Sequence, residues 1–453
     1  MPDTDRIRPW AGNPRYWQLE GRPMLLLGGS REDNLFQIPD LDEHLDLLAS
    51  VGGNYVRNTM SDRDEGNVYP YLRLADGRYD LDRWNDEYWD RFARLLRGTG
   101  QRGIVVQLEI WDRFDLTDAK GTGHWQRHPY RPANNVNYTS DETDLADAYP
   151  DHPAGDRHPF FHTVPGMRKY RPVYDRLRPY QERFVTKVLA HSLPYGHVLY
   201  CVDNETSTEP AWGLYWRDFI KRQAAASGVE VCVTDMFDDG WKPEESANIG
   251  LQLAHPELYD FIDISQVNSR NFGEEHWRRL LWVSERLQAH PRPLNHTKIY
   301  SAGRTAFGSG TPQDGIERFW RNLLGGSAAV RFHRPPSGIG LNEQAQACLR
   351  AARRAAGQVA FWHLRPHQEL LVDRSPNAAY LAAAPGTAYV LFLCDGGRVT
   401  LDLAGAAGPF DLRWIDVGDG DWGPQAVVRG DQRLPLAAPS SGPWAATLQR
   451  RQG

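Results

Sequence analysis

The sequence predicts an α/β protein: a (β/α)8 (TIM) barrel followed by a small antiparallel β-sandwich domain. Three observations carry this. Between residues 24 and 356, short apolar runs that end in polar residues alternate with amphipathic helical patterns, eight strands in all. Such alternation is what parallel strands with covering helices require, and eight units close a barrel. After His363 helical periodicity stops, and short alternating runs separated by glycine turns take over. The doubly wound alternative needs a G-x-G-x-x-G phosphate turn after its first strand, and Gly28-Gly29-Ser30-Arg31-Glu32-Asp33 lacks that spacing.

The elements follow in order. Residues 24–28 read as a buried strand opening into Gly29-Ser30-Arg31-Glu32-Asp33. A helix starts at Asp40, with Leu41, His44, Leu45, Leu47 and Leu48 on one face, and Gly52-Gly53 stops it. Strand two is 54–57. Trp84, Tyr88, Phe92, Leu95 and Leu96 then repeat at helical spacing, and strand three is 104–109. A long polar segment, 115–172, carries enough aromatic residues to be an ordered loop that covers something. The remaining strands are 198–202, 229–234, 261–266, 293–299 and 328–332, with helices at 180–191, 212–226, 274–288, 313–324 and 343–356. The barrel thus spans 1–362 and the sandwich 363–453, with strands near 379–382, 388–393, 399–403, 410–416 and 445–449. Asp395-Gly396-Gly397 between two of these runs predicts a hairpin. The sandwich either shields the barrel or binds sugar.

Bulk properties narrow the class. The 453 residues suit one large and one small domain, and a net charge of −6 gives no basic footprint for nucleic acid or an anionic membrane. Cys201, Cys232, Cys348 and Cys394 match no zinc or redox spacing. The start of the chain has no apolar leader, and no run approaches the ~18 apolar residues of a membrane helix. The expectation is a soluble, reduced, cytoplasmic protein without a cofactor; a homo-oligomer stays open. The 16 Trp and 19 Tyr residues serve either as core or as rings lining a sugar site.

A barrel assembles its chemistry on the C-terminal ends of its strands. Those ends supply Asp33, Arg57, Asn58, Glu109, Trp111, Asn204, Glu205 and Asp235, then Gln266, Asn268, His296, Lys298, His333 and Arg334. Strand four, 198–202, turns abruptly polar at Asp203-Asn204-Glu205, which makes Glu205 the leading candidate for a catalytic acid. For Arg57, pairing with a neighbouring carboxylate and contact with substrate are both open. Asp112 and Asp115 read as loop caps or ion-pair partners, and Asp263, inside a strand, as a structural acid.

These motifs resemble those of the large clan of barrel glycoside hydrolases. Arg57 follows strand two, Asn204-Glu205 follows strand four, and the opening GRPMLLLGGS with GGNYVRN is similar to apiosidase-like bacterial glycosidases that carry a small C-terminal sandwich. The resemblance implies a carbohydrate substrate, Glu205 as acid/base and a Glu nucleophile on strand seven. Here strand seven reads PLNHTKIYSAG, and Lys298 stands near the nucleophile's place. No acid occurs between Glu285 and Asp314.

Glycoside cleavage needs a second carboxylate, ~5–5.5 Å from the first for retention and ~6.5–9.5 Å for inversion. Asp235 is the first choice and Glu109 the second, with Lys298 or Arg57 holding one group ionised. Asn204 suits the 2-hydroxyl of the sugar. Trp111, Trp212 and Trp241 are candidate stacking platforms, with Arg57, Asn58, Gln266, Asn268, His296, Lys298, His333 and Arg334 as further substrate contacts. The covering loop favours a closed pocket and exo action. Two other classes stay open: a metal-dependent sugar isomerase or hydrolase using His296, Glu205, Asp235 and Glu109, and a non-catalytic carbohydrate-binding barrel.

Overall fold

The computed structural model describes residues 6–151, 157–301 and 309–451. Eight parallel strands form the central sheet: β1 (Leu26–Gly29), β2 (Tyr55–Thr59), β3 (Val105–Asp112), β4 (Val198–Asn204), β5 (Val233–Thr234), β6 (Ile262–Asp263), β7 (Leu294–Ile299) and β8 (Ala329–Phe332). Their order is β5-β4-β3-β2-β1-β8-β7-β6. The seam between β5 and β6 is closed by Asp260 N to Val233 O at 3.1 Å and by Thr234 Oγ1 to Phe261 O at 2.6 Å. Each strand is followed by a helix: α1 (Leu41–Ser50), α2 (Asp86–Gln101), α3 (Arg178–Ser192), α4 (Pro210–Ala226), α5 (Ala247–Ala254), α6 (Gly273–Arg286), α7 (Pro312–Leu324) and α8 (Glu343–Gln358). The result is a (β/α)8 barrel.

Amphipathic spacing sets the helix faces: α1 buries Leu41, His44, Leu45 and Leu48. The strand interior carries a polar layer in which Tyr55 donates to Gln107, Gln107 to Asp263 and Trp17 to Asn295. Asp263 is therefore a structural acid. Beneath the barrel a small three-stranded sheet, Arg8 to Met24, supplies Trp17 as a plug. Two strands are shorter than the sequence suggests. After Asp263 the chain coils at once, because the Asp263 carboxylate accepts Ser265 N at 2.9 Å and turns the backbone out of the ladder. The ladder of β5 holds two residues, and α5, capped by Ser246, has too short a period to stand out in sequence.

The C-terminal segment forms a six-stranded antiparallel sheet. Its order is β9 (Arg365–Pro366), β10 (Ala379–Ala384), β11 (Ala388–Leu393), β16 (Trp444–Arg450), β13 (Pro409–Asp416) and β14 (Trp422–Arg429). A two-stranded sheet, β12 (Arg398–Asp402) with β15 (Arg433–Ala437), packs Val399, Leu401 and Leu436 into a core with Leu381, Leu391 and Leu448. Asp395-Gly396-Gly397 makes no hairpin. It carries the chain from β11 to β12, which lie in different sheets. Gly418-Asp419-Gly420 does join a paired hairpin, β13 with β14. The outer face of the sheet rests on the barrel, where Phe392 stacks on Trp320 of α7 at 5.3 Å. Among the described residues no helix is long and apolar enough to cross a membrane.

Within the barrel sheet the backbones come closest at Gly28, where a Cβ would lie 1.9 Å from Tyr55 O of the neighbouring strand. Gly28→Ala must push β1 from β2, and the expected cost is ~1–3 kcal/mol or more in urea unfolding.

Candidate active site

The C-terminal ends of the barrel strands surround a cleft of about 450 Å³. Every strand contributes to its wall: Asp33 after β1, Arg63 after β2, Arg113 after β3, Asn204-Glu205 at β4, Asp238 after β5, Gln266 after β6, Lys298 and Tyr300 at β7, and His333-Arg334 after β8. The segment from Phe114 to His124 walls one side, so the long insertion does border the cleft. Residues 152–156 of that insertion lie outside the described residues.

Glu205 sits at the centre, its side chain 12% exposed. Its Oε1 accepts Lys298 Nζ at 2.7 Å, Gln266 Nε2 at 2.7 Å and Tyr300 Oη at 3.2 Å, and its Oε2 accepts Arg113 Nη2 at 3.2 Å. Burial pushes the carboxyl up, but Lys298 and Arg113 overcome it and hold Glu205 well below the usual carboxylate range. Glu205 is thus poised as an anion. Its backbone is left-handed, φ 64°, a conformation that costs a non-glycine residue ~1–3 kcal/mol.

A bulge in β7 brings Lys298 there. Asn295 pairs with Ala329 and His296 with Val330, but Ile299 pairs with Phe332, so β7 holds one residue more than β8 over this stretch. Strict alternation would send Lys298 outward with His296; the extra residue turns it into the mouth. Its Nζ also donates to Asn204 Oδ1 at 2.5 Å, and Asn204 Nδ2 donates to Asp112 at 3.0 Å.

Asp33 is the second acid in the wall. It pairs with Arg57, with Arg334 at 2.7 Å and with Arg63 at 3.7 Å. Against the upward push of burial, Arg57, Arg334 and Arg63 hold it well below the usual carboxylate range. The third is Asp238, whose Oδ2 lies 3.0 Å from Arg113 Nη2, the same nitrogen that meets Glu205. His333 lies edge-on to Tyr300 at 4.9 Å, and burial keeps its imidazole neutral.

Several expected site residues stand elsewhere. Asp235 is 1% exposed and does not line the cleft: its Oδ1 accepts Thr206 Oγ1 at 2.6 Å and Met236 N at 3.0 Å. Its Oδ2 faces α4, where a Cβ on Gly213 would come within 2.3 Å. Burial lifts its pKa to about 7. Glu109 is fully buried in a two-pronged pair with Arg57, both contacts 2.6 Å, so neither is a cleft residue. Asn58 accepts Phe36 N at 2.9 Å and braces the loop after β1.

Asn268 and His296 are hydrogen-bonded to each other at 3.0 Å, with His276, Asn322 and Ser327 around them, on the outer side of β7. Trp111 packs between the strands and helices, 5.2 Å from both Phe184 and Trp216, and Trp212 is fully buried. Of the three tryptophans Trp241 lines the cleft. His296, Glu205, Asp235 and Glu109 do not converge, and among the described residues no three His, Cys, Asp or Glu side chains group as a cation site.

Sequence reasoning passed over Arg63, Arg113, Asp238 and Tyr300, and named Asp33 without assigning it a role. Asp238 lies three residues past Asp235 in the same loop, and Arg113 sits in the WDRFD segment. A signal existed for each charged residue, a charge just beyond a predicted strand end.

Two expectations follow from this geometry. Glu109→Ala leaves Arg57 buried without its two-pronged partner and is expected to cost ~3–5 kcal/mol in chemical denaturation. Lys298→Met is expected to cost about 3 kcal/mol at pH 7. A carboxyl lowered on folding contributes stability that is full above its unfolded pKa, ~4.3, and fades as pH falls through the lowered folded value. The Lys298→Met deficit should therefore be larger at pH 7 than at pH 3, measured by urea unfolding at both.

A family model described as a domain of unknown function, DUF6298, matches residues 66–236. No curated protein matches the chain in sequence. Among solved structures, the chain is similar to a glycoside hydrolase family 5 protein from Bacteroides vulgatus, at 10% identity and TM-score 0.64, over 99% of this chain and 94% of that one. It is similar to a protein described as a glycoside hydrolase, at 11% identity and TM-score 0.66, over 99% and 97%. A family 30 endoxylanase from Clostridium papyrosolvens follows, at 11% identity and TM-score 0.51, over 98% and 100%. The chain has the barrel-plus-antiparallel-sheet architecture of family 5 and family 30 glycoside hydrolases.

Proposed function

We propose that the protein is a glycoside hydrolase in which Glu205 is the ionised carboxylate and Asp238 the proton-transferring one. The observation that carries this is Arg113 Nη2, which meets Glu205 at 3.2 Å and Asp238 at 3.0 Å in the cleft. The two carboxylates thus reach one guanidinium nitrogen, an arrangement compatible with the ~5–5.5 Å of a retaining pair. The spacing favours retention. Glu205 then attacks the anomeric carbon and forms a glycosyl ester, while Asp238 gives its proton to the departing oxygen; water, deprotonated by Asp238, cleaves the ester. Tyr300, whose hydroxyl is kept protonated by burial and by Glu205, donates to the nucleophile and aligns it.

The role of Glu205 differs from that of a resting proton donor, because its surroundings favour the anion. Asn204 and Gln266, both in the cleft wall, would meet sugar hydroxyls in this reading. The wall from Phe114 to His124 supports an exo-acting pocket. A second reading, a barrel that binds carbohydrate without cleaving it, is favoured by Lys298, which neutralises Glu205 from the strand that carries the nucleophile in the clan.

Chemical rescue separates these. On aryl glycosides, Glu205→Gly should lower turnover by ~10²–10⁴. Azide should restore it and give a glycosyl azide of inverted anomeric configuration. Asp238→Gly with azide should give the retained configuration. Full activity in Glu205→Gly sinks the assignment, and exchanged azide configurations would reverse the two roles. Sugar binding without turnover, unchanged by Glu205→Gln, would establish the second reading.

A further inference from the structure

The cleft is cationic in a chain whose net charge is −6. Six cations, Arg63, Arg113, Lys120, Arg270, Lys298 and Arg334, line it against the three carboxylates Asp33, Glu205 and Asp238. Four of those cations are matched in the wall or just behind it: Lys298 and Arg113 by Glu205 and Asp238, Arg334 by Asp33, and Arg63 by Asp112 and Asp115. Arg270 is different. It is exposed at the rim, and among the described residues it forms no ion pair.

Two aromatic rings of the cleft, Trp241 and Phe114, are clad in cations rather than bare. Arg270 stacks over Trp241 at 5.1 Å and Lys242 lies over the same ring at 5.0 Å. Arg113 and Arg63 lie over Phe114 at 4.8 and 5.9 Å. A neutral sugar needs an open ring face for its C–H groups, whereas guanidinium groups laid on rings present their N–H edges to anions.

Backbone strain marks the same rim. Seven described non-glycine residues have a left-handed backbone, and three of them, Lys120, Glu205 and Arg270, line this cleft. Strain of this kind persists where the surrounding structure holds a side chain to a task. At Arg270, φ is 33°, and the stacking on Trp241 fixes where the guanidinium points.

We propose that the cleft takes an anionic glycan, a chain containing a uronic acid, whose carboxylate is read by the planar fork of Arg270 held on Trp241. The proposal names the substrate class of the glycoside hydrolase reading above and rests on it for the reaction, but the recognition itself needs no turnover. A carboxylate and a guanidinium match in plane through two parallel hydrogen bonds, and each is charge-assisted.

Calorimetric titration of the full chain with digalacturonate, galactobiose, galactose 6-sulfate and galactose tests this at low and at raised salt. The uronate should bind ~10-fold or more tightly than its neutral counterpart, with the margin shrinking as salt rises. Arg270→Ala should erase the margin through weaker digalacturonate binding, and galactobiose affinity should not fall, because the uncovered face of Trp241 is open to a neutral sugar. Arg270→Lys, which keeps the charge and loses the fork, should retain part of it. Equal affinities, or no binding of any of the four, would overturn the proposal. So would a uronate preference that survives in Arg270→Ala, or an Arg270-dependent preference for the sulfated sugar alone. Turnover is scored separately: uronate binding without hydrolysis would fail the enzyme reading and keep this one, and hydrolysis of neutral glycosides alone would do the reverse.

Discussion

The barrel mouth is held by one line of alternating charges. Glu109 grips Arg57, Arg57 meets Asp33, and Asp33 meets Arg63. Arg63 pairs with Asp112, Asp112 accepts from Asn204, and Asn204 accepts from Lys298. Lys298 then holds Glu205, and Arg113 ties Glu205 to Asp238. The line crosses from the loop after β1 to the loop after β5, with β7 reaching in from the far side. Few of its members are exposed, so each charge depends on its neighbours to offset its loss of water. A group in such a line has its ionisation set by the whole arrangement. That is why Glu205 is an anion at the centre of the protein, although burial alone would make it neutral.

The strained backbone of Glu205 needs a brace, and Asp235 supplies it. Thr206, the next residue, donates its hydroxyl to Asp235, and its amide donates to Met236 O at 2.7 Å. Gly213 of α4 leaves the room in which the Asp235 carboxyl sits. Asp235 therefore acts on the site through Thr206, from behind the wall. Its distance from the cleft makes it a positioning residue, and the acid that does face the cleft comes three residues later, after the loop has turned.

Much of this architecture is legible in the residues themselves. Eight apolar runs ending in polar residues, with Leu41, Leu45 and Leu48 or Tyr88, Phe92 and Leu95 on helical faces, leave little choice of fold. Which way a strand-end residue points is harder to read. His296 and Lys298 are two apart and would share a face by alternation; the bulge in β7 separates them, and nothing in HTK announces it. Asp263 bends β6 out of its ladder through Ser265, which carries Asn268 away from the mouth. Arg63, Arg113 and Asp238 come from loops, where a charge beside a strand end reads equally well as solvated. Their meaning lies in partners far away in sequence, which only folding brings together.

The cation on β7 changes what the barrel can be asked to do. In a pair of carboxylates on β4 and β7, like charges side by side would push one of them toward its neutral form. Here Lys298 stands on β7 and donates to both Asn204 and Glu205, so attraction replaces repulsion and the β4 acid is the one that stays ionised. In the glycoside hydrolase reading proposed above, the proton donor then stands on another strand, at a point less enclosed by cations. The loop after β5 meets that condition: Asp238 is 43% exposed and touches the line of charges at its last link, Arg113. Arg113, which with Lys298 holds Glu205 as an anion, also covers Phe114, and Arg270 covers Trp241. The proposed catalytic assignment and the proposed charge of the ligand thus have one physical origin, the arginine and lysine side chains set among the carboxylates of the barrel mouth.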